Sequence, residues 1–193
     1  DTFMFRKYTL LVAISNSKCI GWTMFEKGAM NKERLVEFMK EYIFRKYKDH
    51  LIVMDNAGGH RNNYVWDAIT ENGNQYLHSV PYTPITNPIE SFFLSYKLIN
   101  FHFTRLLEER KPLPEIKQNL FYQACCMVSQ LKYTKDTTDT TTELYESFSQ
   151  MREFMTDALP ERDYLCLGYI TNLNKLQLTM ANNHLKLNFY NRF

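Results

Sequence analysis

Leu51-Ile-Val-Met-Asp-Asn-Ala-Gly-Gly-His60, followed by Pro81-Tyr-Thr-Pro-Ile-Thr-Asn-Pro-Ile-Glu90, is the stretch on which the reading of the fold turns. His50 to Met54 is a short, continuously apolar run, the pattern of a strand buried on both faces in a parallel pair. Asp55 stands at its C-terminal end, the edge of an α/β sheet where ligands and catalytic groups collect. The second half is a proline-punctuated turn that enters a helix. Asn87 is a good N-cap, Pro88 suits the first helical position, and Ile89, Phe92, Phe93, Tyr96, Ile99 and Phe103 supply an apolar face. Glu90 lies in the first turn of that helix, with positions 56 to 89, thirty-four residues, separating it from Asp55. Two carboxylates carried on different elements in this way are able to share a divalent cation.

Upstream, residues 8 to 15 are apolar and β-branched and are closed by Asn16-Ser17-Lys18, which predicts a buried strand; residues 19 to 25 read as its hairpin partner. From Asn31 the period changes to that of a helix, with Asn31 as N-cap and Leu35, Phe38, Met39, Tyr42 and Ile43 on one face. Its opposite face, with Lys32, Arg34, Lys40, Arg45, Lys46 and Lys48, reads as a solvated surface. Downstream, residues 61 to 72 fit a short helix with Val65, Trp66 and Ile69 inward and Gly73 as its stop, and Gln75 to Val80 fits a strand. The helix at Glu90 is expected to run to about Arg110, where Pro112 and Pro114 break it. Ile116 to Leu131 marks another helix. Thr134 to Thr142 is a polar, low-complexity linker. Leu144, Phe148, Met151 and Met155 suggest a further helix, and Leu176–Met180 with Leu185–Phe189 suggest a β-hairpin that adds to a sheet or to a partner chain.

The chain of 193 residues is 45% hydrophobic and 15% aromatic, enough for one globular domain with a core. Its 23 basic and 21 acidic residues leave a net charge of +2, so phosphate contacts would have to come from local patches and not from bulk charge. Cys19, Cys125, Cys126 and Cys166 have no metal-ligand spacing and read as reduced core thiols of an intracellular protein. No stretch has the length of a membrane-spanning helix, and no Gly-rich phosphate loop or nucleophilic triad emerges. The chain begins without Met and enters apolar sequence almost at once, as expected of part of a longer protein.

The two quoted motifs resemble, in order and spacing, those of the mariner-like superfamily of DDE transposases. There the second catalytic acid ends a strand as Asp-Asn with a histidine shortly after, and the third sits in a Pro-Tyr-x-Pro-x-x-Asn-Pro-Ile-Glu stretch. The resemblance implies an α/β fold, a ribonuclease H-like mixed sheet flanked by helices. Residues 1–133 would be the partial core, 134–142 the linker, and 143–193 a C-terminal extension of helix and candidate β-hairpin. It implies a DNA transposase that cleaves and joins DNA strands, with Asp55 and Glu90 as catalytic and metal-binding acids for a two-ion Mg²⁺ or Mn²⁺ site. Asn56, His60 and Asn87 would be supporting residues, and Lys97, two helical turns beyond Glu90 on the same face, would be a DNA-phosphate contact. It further implies transposon-end and target DNA as partners, a homodimer or larger assembly, a protein partner for residues 143–193, no membrane, and a nuclear location if the source is eukaryotic. Blander assignments stay open: Asp55 also suits a strand end that begins a turn with Asn56, Glu90 a capping-box glutamate, and Lys97 a solvated lysine.

The sequence departs from the family in one large respect. The first catalytic aspartate belongs to a central strand between those at 8–15 and 50–54, and no segment upstream of residue 8 is long enough to form it. The expectation is a sheet with a gap at its middle, to be filled by upstream residues or a second chain, because unpaired central backbone would be buried unsatisfied. Two carboxylates without the third would bind ions weakly, and their repulsion would raise one pKa. The helix-turn-helix modules usual at the N-terminus of such transposases are also absent. This leaves an alternative reading, a captured and catalytically inactive remnant that acts as a structural or interaction subunit. A ribonuclease H-like nuclease acting on RNA also fits the fold, without a motif of its own.

Overall fold

Six successive buried residues make the first strand, β1 (Thr9–Ile14), and a Ser15–Lys18 turn returns the chain as β2 (Cys19–Phe25), antiparallel to it. The computed structural model describes residues 8–25, 28–81, 83, 86–94, 96, 146, 149–151 and 163–171. Helix α1 (Lys32–Tyr42) begins where Asn31 accepts the Arg34 N–H at 2.9 Å, the capping geometry that its side chain favours. It buries Leu35, Val36, Phe38 and Met39. The apolar run gives β3 (Leu51–Met54), then α2 (Asn63–Glu71), capped by Asn62, and β4 (Gln75–His78), parallel to β3. Gly73 takes a left-handed φ of 81° between α2 and β4, a conformation that glycine adopts without strain. A third helix, α3, spans residues 89–94.

The expected gap at the middle of the sheet is not there. Strand β5 (Tyr164–Thr171) occupies it, giving the order β2-β1-β5-β3-β4. It runs antiparallel to β1, from Thr9↔Thr171 to Ile14↔Cys166, and parallel to β3, from Leu51↔Tyr164 to Met54↔Leu167. This strand comes from the stretch read as an extension, in a place where only a helix end and a later hairpin were expected. The physical reason is that Tyr164-Leu-Cys-Leu167 is apolar enough to be buried on both faces. Such burial is worth roughly 2 kcal/mol per large side chain, and the ladder on both sides satisfies the backbone groups that a gap would strand.

Alternate residues of the sheet build two cores. One face carries Leu11, Ala13, Ile52, Met54, Leu165 and Leu167 under α1 and α2. The other carries Leu10, Val12, Val53 and Cys166 under Ile89, Phe92, Phe93 and Tyr96. Met151, also helical, joins this second core. The expected helix 116–131, the linker 134–142, the hairpin at 176–189, Cys125, Cys126 and Lys97 lie outside the described residues.

Candidate active site

Asp55 leaves β3 at the C-terminal edge of the sheet, and its own loop fixes its carboxylate. Oδ1 accepts the Ala57 N–H at 2.9 Å, an Asx turn that Asp forms readily, and pairs with His60 Nδ1 at 2.5 Å. That pairing puts a proton on His60 Nδ1, because only a protonated ring nitrogen donates. His60 is fully buried, its ring meets Tyr169 edge-on at 5.2 Å between centroids, and its Nε2 has no hydrogen-bond partner among the described residues. Burial of the Asp55 carboxyl acts to raise its pKa. The His60 hydrogen bond and the Ala57 N–H act the other way and prevail, holding it below its ordinary value. The repulsion expected between two carboxylates therefore does not decide the state of Asp55; its histidine does.

The backbone of Asp55 is held from the other side. His78 of β4 accepts the Trp66 Nε1–H at its Nε2, 3.2 Å away, which leaves Nδ1–H to donate to the Asp55 carbonyl at 3.0 Å. Trp66 lies half-buried, stacked flat on Tyr76 at 5.4 Å. Asn56 donates to the Ser79 carbonyl at 2.6 Å, and Ser79 N–H donates to the Met54 carbonyl at 2.7 Å, so the ends of β3 and β4 are tied together. The loop beyond is knotted by buried Thr86, whose hydroxyl accepts the Val80 N–H and donates to the Thr83 carbonyl. It delivers Asn87, whose Oδ1 accepts the Ile89 N–H at 3.3 Å and whose carbonyl accepts the Glu90 N–H at 3.1 Å. Asn87 thus caps the helix that carries Glu90.

One glycine joins the two acid-bearing segments. Past the Met54↔Leu167 pair, Asp55 and Gly168 come next on adjacent strands. A Cβ on Gly168 would meet Ile89 Cγ2 at 2.9 Å and Phe93 Cε2 at 3.4 Å. The residue before Glu90 therefore sits directly on the central strand beside Asp55. Glu90 is exposed, and the Asp55 side chain is 31% exposed, so both carboxyls are open to solvent. Tyr169 was not singled out from sequence; its phenol pKa is raised by burial and then by the Asp55 charge. The signal available was a lone glycine inside an apolar run, which marks a close approach of another element.

Among the described residues the donor set does not build the divalent-ion centre that the motifs imply. A carboxylate sharing an ion with Asp55 from the central strand would have to stand at position 168, where Ile89 leaves no room for a side chain. Asp163 is at the far end of that strand, its carbonyl accepting the Leu51 N–H at 3.0 Å, about 16 Å from position 168 at the rise of a strand. Among the described residues no three His, Cys, Asp or Glu side chains are grouped to hold a metal. No helix among them is long and apolar enough to cross a membrane.

A family model described as DDE superfamily endonuclease matches residues 6–113, more than half of the chain and both acids. No curated protein matches. Among solved structures, the chain is similar to one in the cryo-EM structure of the simian T-cell lymphotropic virus intasome in complex with PP2A regulatory subunit B56 gamma. The TM-score is 0.52 at 16% identity, over 72% of this chain and 48% of that one. The likeness is one of fold, ribonuclease H-like, and this chain spans about half the length of that relative.

Proposed function

From a chain that belongs to the DDE superfamily endonucleases, we propose a DNA transposase core whose complete form cleaves and joins DNA strands. Asp55 and Glu90 are its second and third acids, and the first is supplied from outside the described residues. The observation that carries this reading is the seating of Ile89 on Gly168, which brings the Glu90 helix to the strand edge where Asp55 ends. His60 orients the Asp55 carboxylate, and the Asn56–Ser79 and Asn87 contacts hold the two acid-bearing segments. The partners are transposon-end and target DNA in a homodimer or larger assembly, located in the nucleus if the source is eukaryotic. In DNA strand transfer, Mg²⁺ or Mn²⁺ supplies activation of the attacking oxygen and stabilisation of the leaving one. The proposed organisation keeps residues 1–133 as core and 134–142 as linker, with 143–193 reaching back to complete the sheet and offering further contacts to a protein partner.

The test is nicking of supercoiled DNA with Mn²⁺ by the protein that contains this chain. Asp55→Asn and Glu90→Gln should each lower the rate by about a hundredfold or more, the scale expected for loss of a group acting in the transition state. DNA binding in a mobility-shift assay should stay within about threefold. Cleavage undiminished in either variant would overturn the proposal.

A second reading, a captured and inactive core that serves as an interaction subunit, draws its support from Gly168 at the position beside Asp55. It predicts that neither substitution changes any activity of the protein while both leave its assemblies intact.

A further inference from the structure

Asp55 is held through a histidine whose polar contacts all engage one ring atom. His60 Nδ1 meets Asp55 Oδ1 at 2.5 Å and stands 3.3 Å from the Asp55 carbonyl. A ring pinned at one atom can still swing about it. The other nitrogen, Nε2, has no hydrogen-bond partner among the described residues, although the side chain is fully buried. What bears on the rest of the imidazole is Tyr169 of β5, with centroids 5.2 Å apart and ring planes at 83°, the T-shaped arrangement that aromatic pairs favour. The phenol oxygen lies near the preceding loop residue as well, since a Cβ on Gly59 would stand 3.9 Å from it.

We propose that Tyr169 is a positioning residue for Asp55, its ring fixing His60 so that the Nδ1–H stays on the Asp55 carboxylate. The role rests on the strand-cleavage reading for what Asp55 does, though not for how it is held. Successive side chains of a strand point to opposite faces. Gly168 turns toward Ile89 and Phe93, under the helix that carries Glu90, whereas Tyr169 packs with the opposite core and meets His60. Two consecutive residues of the central strand thus serve the two acids, one on each face of the sheet. The Asp55 side chain is 31% exposed, so its own surroundings leave it room to turn, and a histidine locked by packing restrains it. Burial and then the Asp55 charge raise the Tyr169 pKa, so the phenol stays neutral and puts no second anion beside the carboxylate.

Two measurements decide it, and the first needs no DNA cleavage. The His60 Nδ1 proton is followed by nuclear magnetic resonance, because a hydrogen bond to a carboxylate moves it to low field and burial slows its exchange with water. Tyr169→Leu, or Tyr169→Met if the shorter side chain does not fold, should speed that exchange by about threefold to tenfold, the scale of one aromatic pair. Tyr169→Phe keeps the ring and should restore the parent rate. The role is overturned by the lack of a protected low-field proton in the parent, by an unchanged rate in the ringless variant, or by a Phe variant as fast as the ringless one. The second measurement is the nicking assay on the protein that contains this chain. Tyr169→Leu should lower kcat by about threefold to tenfold, with the DNA concentration at half-maximal rate unchanged. In a His60→Gln background it should cost nothing further, because its effect passes through the histidine. A full cost beside His60→Gln would make Tyr169 a packing residue and refute the positioning role. If the unmutated protein does not nick DNA while the proton behaves as expected, the strand-cleavage reading falls and the hold of Tyr169 on His60 and Asp55 stands.

Discussion

Replacing Gly168 by alanine adds one methyl group where α3 crosses the central strand, and the geometry sets its cost. The new Cβ would lie 2.9 Å from Ile89 Cγ2, 3.2 Å from Ile89 Cγ1 and 3.4 Å from Phe93 Cε2. Ile89 and Phe93 are themselves buried in the core, so neither has free space to turn into. Overpacking of this kind costs about 1–3 kcal/mol. The reduced freedom of the unfolded chain returns about 0.4–1 kcal/mol, leaving a net loss of about 1–2 kcal/mol. For a chain of this size about 2–4 °C of melting temperature accompanies each kcal/mol, so a fall of about 2–8 °C is expected in calorimetry. The contact itself can be isolated by a double-mutant cycle. In an Ile89→Ala background, which removes both close atoms, Gly168→Ala should cost less than half as much. A neutral or stabilising Gly168→Ala, or a cost that is unchanged beside Ile89→Ala, would mean that α3 does not rest on β5 at this point.

Three further outcomes follow from the site. Asp55 has a lowered folded-state pKa, so its contribution to stability is full above the ordinary carboxylate range and is lost as pH falls through the lowered value. Asp55→Asn should therefore be less stable than the parent at pH 7 in urea titrations, with the gap narrowing below about pH 4; a gap independent of pH would contradict the His60–Asp55 pairing. Trp66→Phe preserves an aromatic ring over Tyr76 but removes the donor to His78, and should cost about 0.5–1.5 kcal/mol; a cost near zero would dismiss that hydrogen bond. Asn87→Ala removes the cap of α3 and should cost about 1 kcal/mol, with Asn87→Ser recovering most of it, as thermal unfolding would read; equal stability of all three proteins would show that the cap is not formed.

Much of the fold was legible because it is written locally. The 3.6 period from Asn31, the continuous apolar run 51–54 and the punctuation at Gly73 each name an element, and the structure has α1, β3 and the α2–β4 turn in those places. Asp55 and the Asn87 cap were legible for the same reason, since a strand end and a helix start carry their own signals. The partner of Asp55 was legible only as a neighbour: nothing in Gly-Gly-His-Arg says that His60 turns inward to complete burial while a loop of the same type often leaves its histidine in water. Strand β5 was illegible for a different reason. Its place is set by pairing with residues more than a hundred positions away, and a short apolar run with an internal glycine is equally compatible with a helix end until the vacancy between β1 and β3 is considered. The tyrosine beside His60 and the glycine under Ile89 came with that strand, so they were hidden with it.

The most direct test of the account is amide hydrogen exchange of residues 165–168 against those of β1 and β3. With β5 at the centre of the sheet, these amides should be the slowest in the chain, exchanging only with global unfolding and in step with residues 10–13 and 51–54. Rapid exchange of 165–168 while β1 and β3 stay protected would show that another segment, or none, holds the middle of the sheet, and would remove the Gly168 joint on which the site was built.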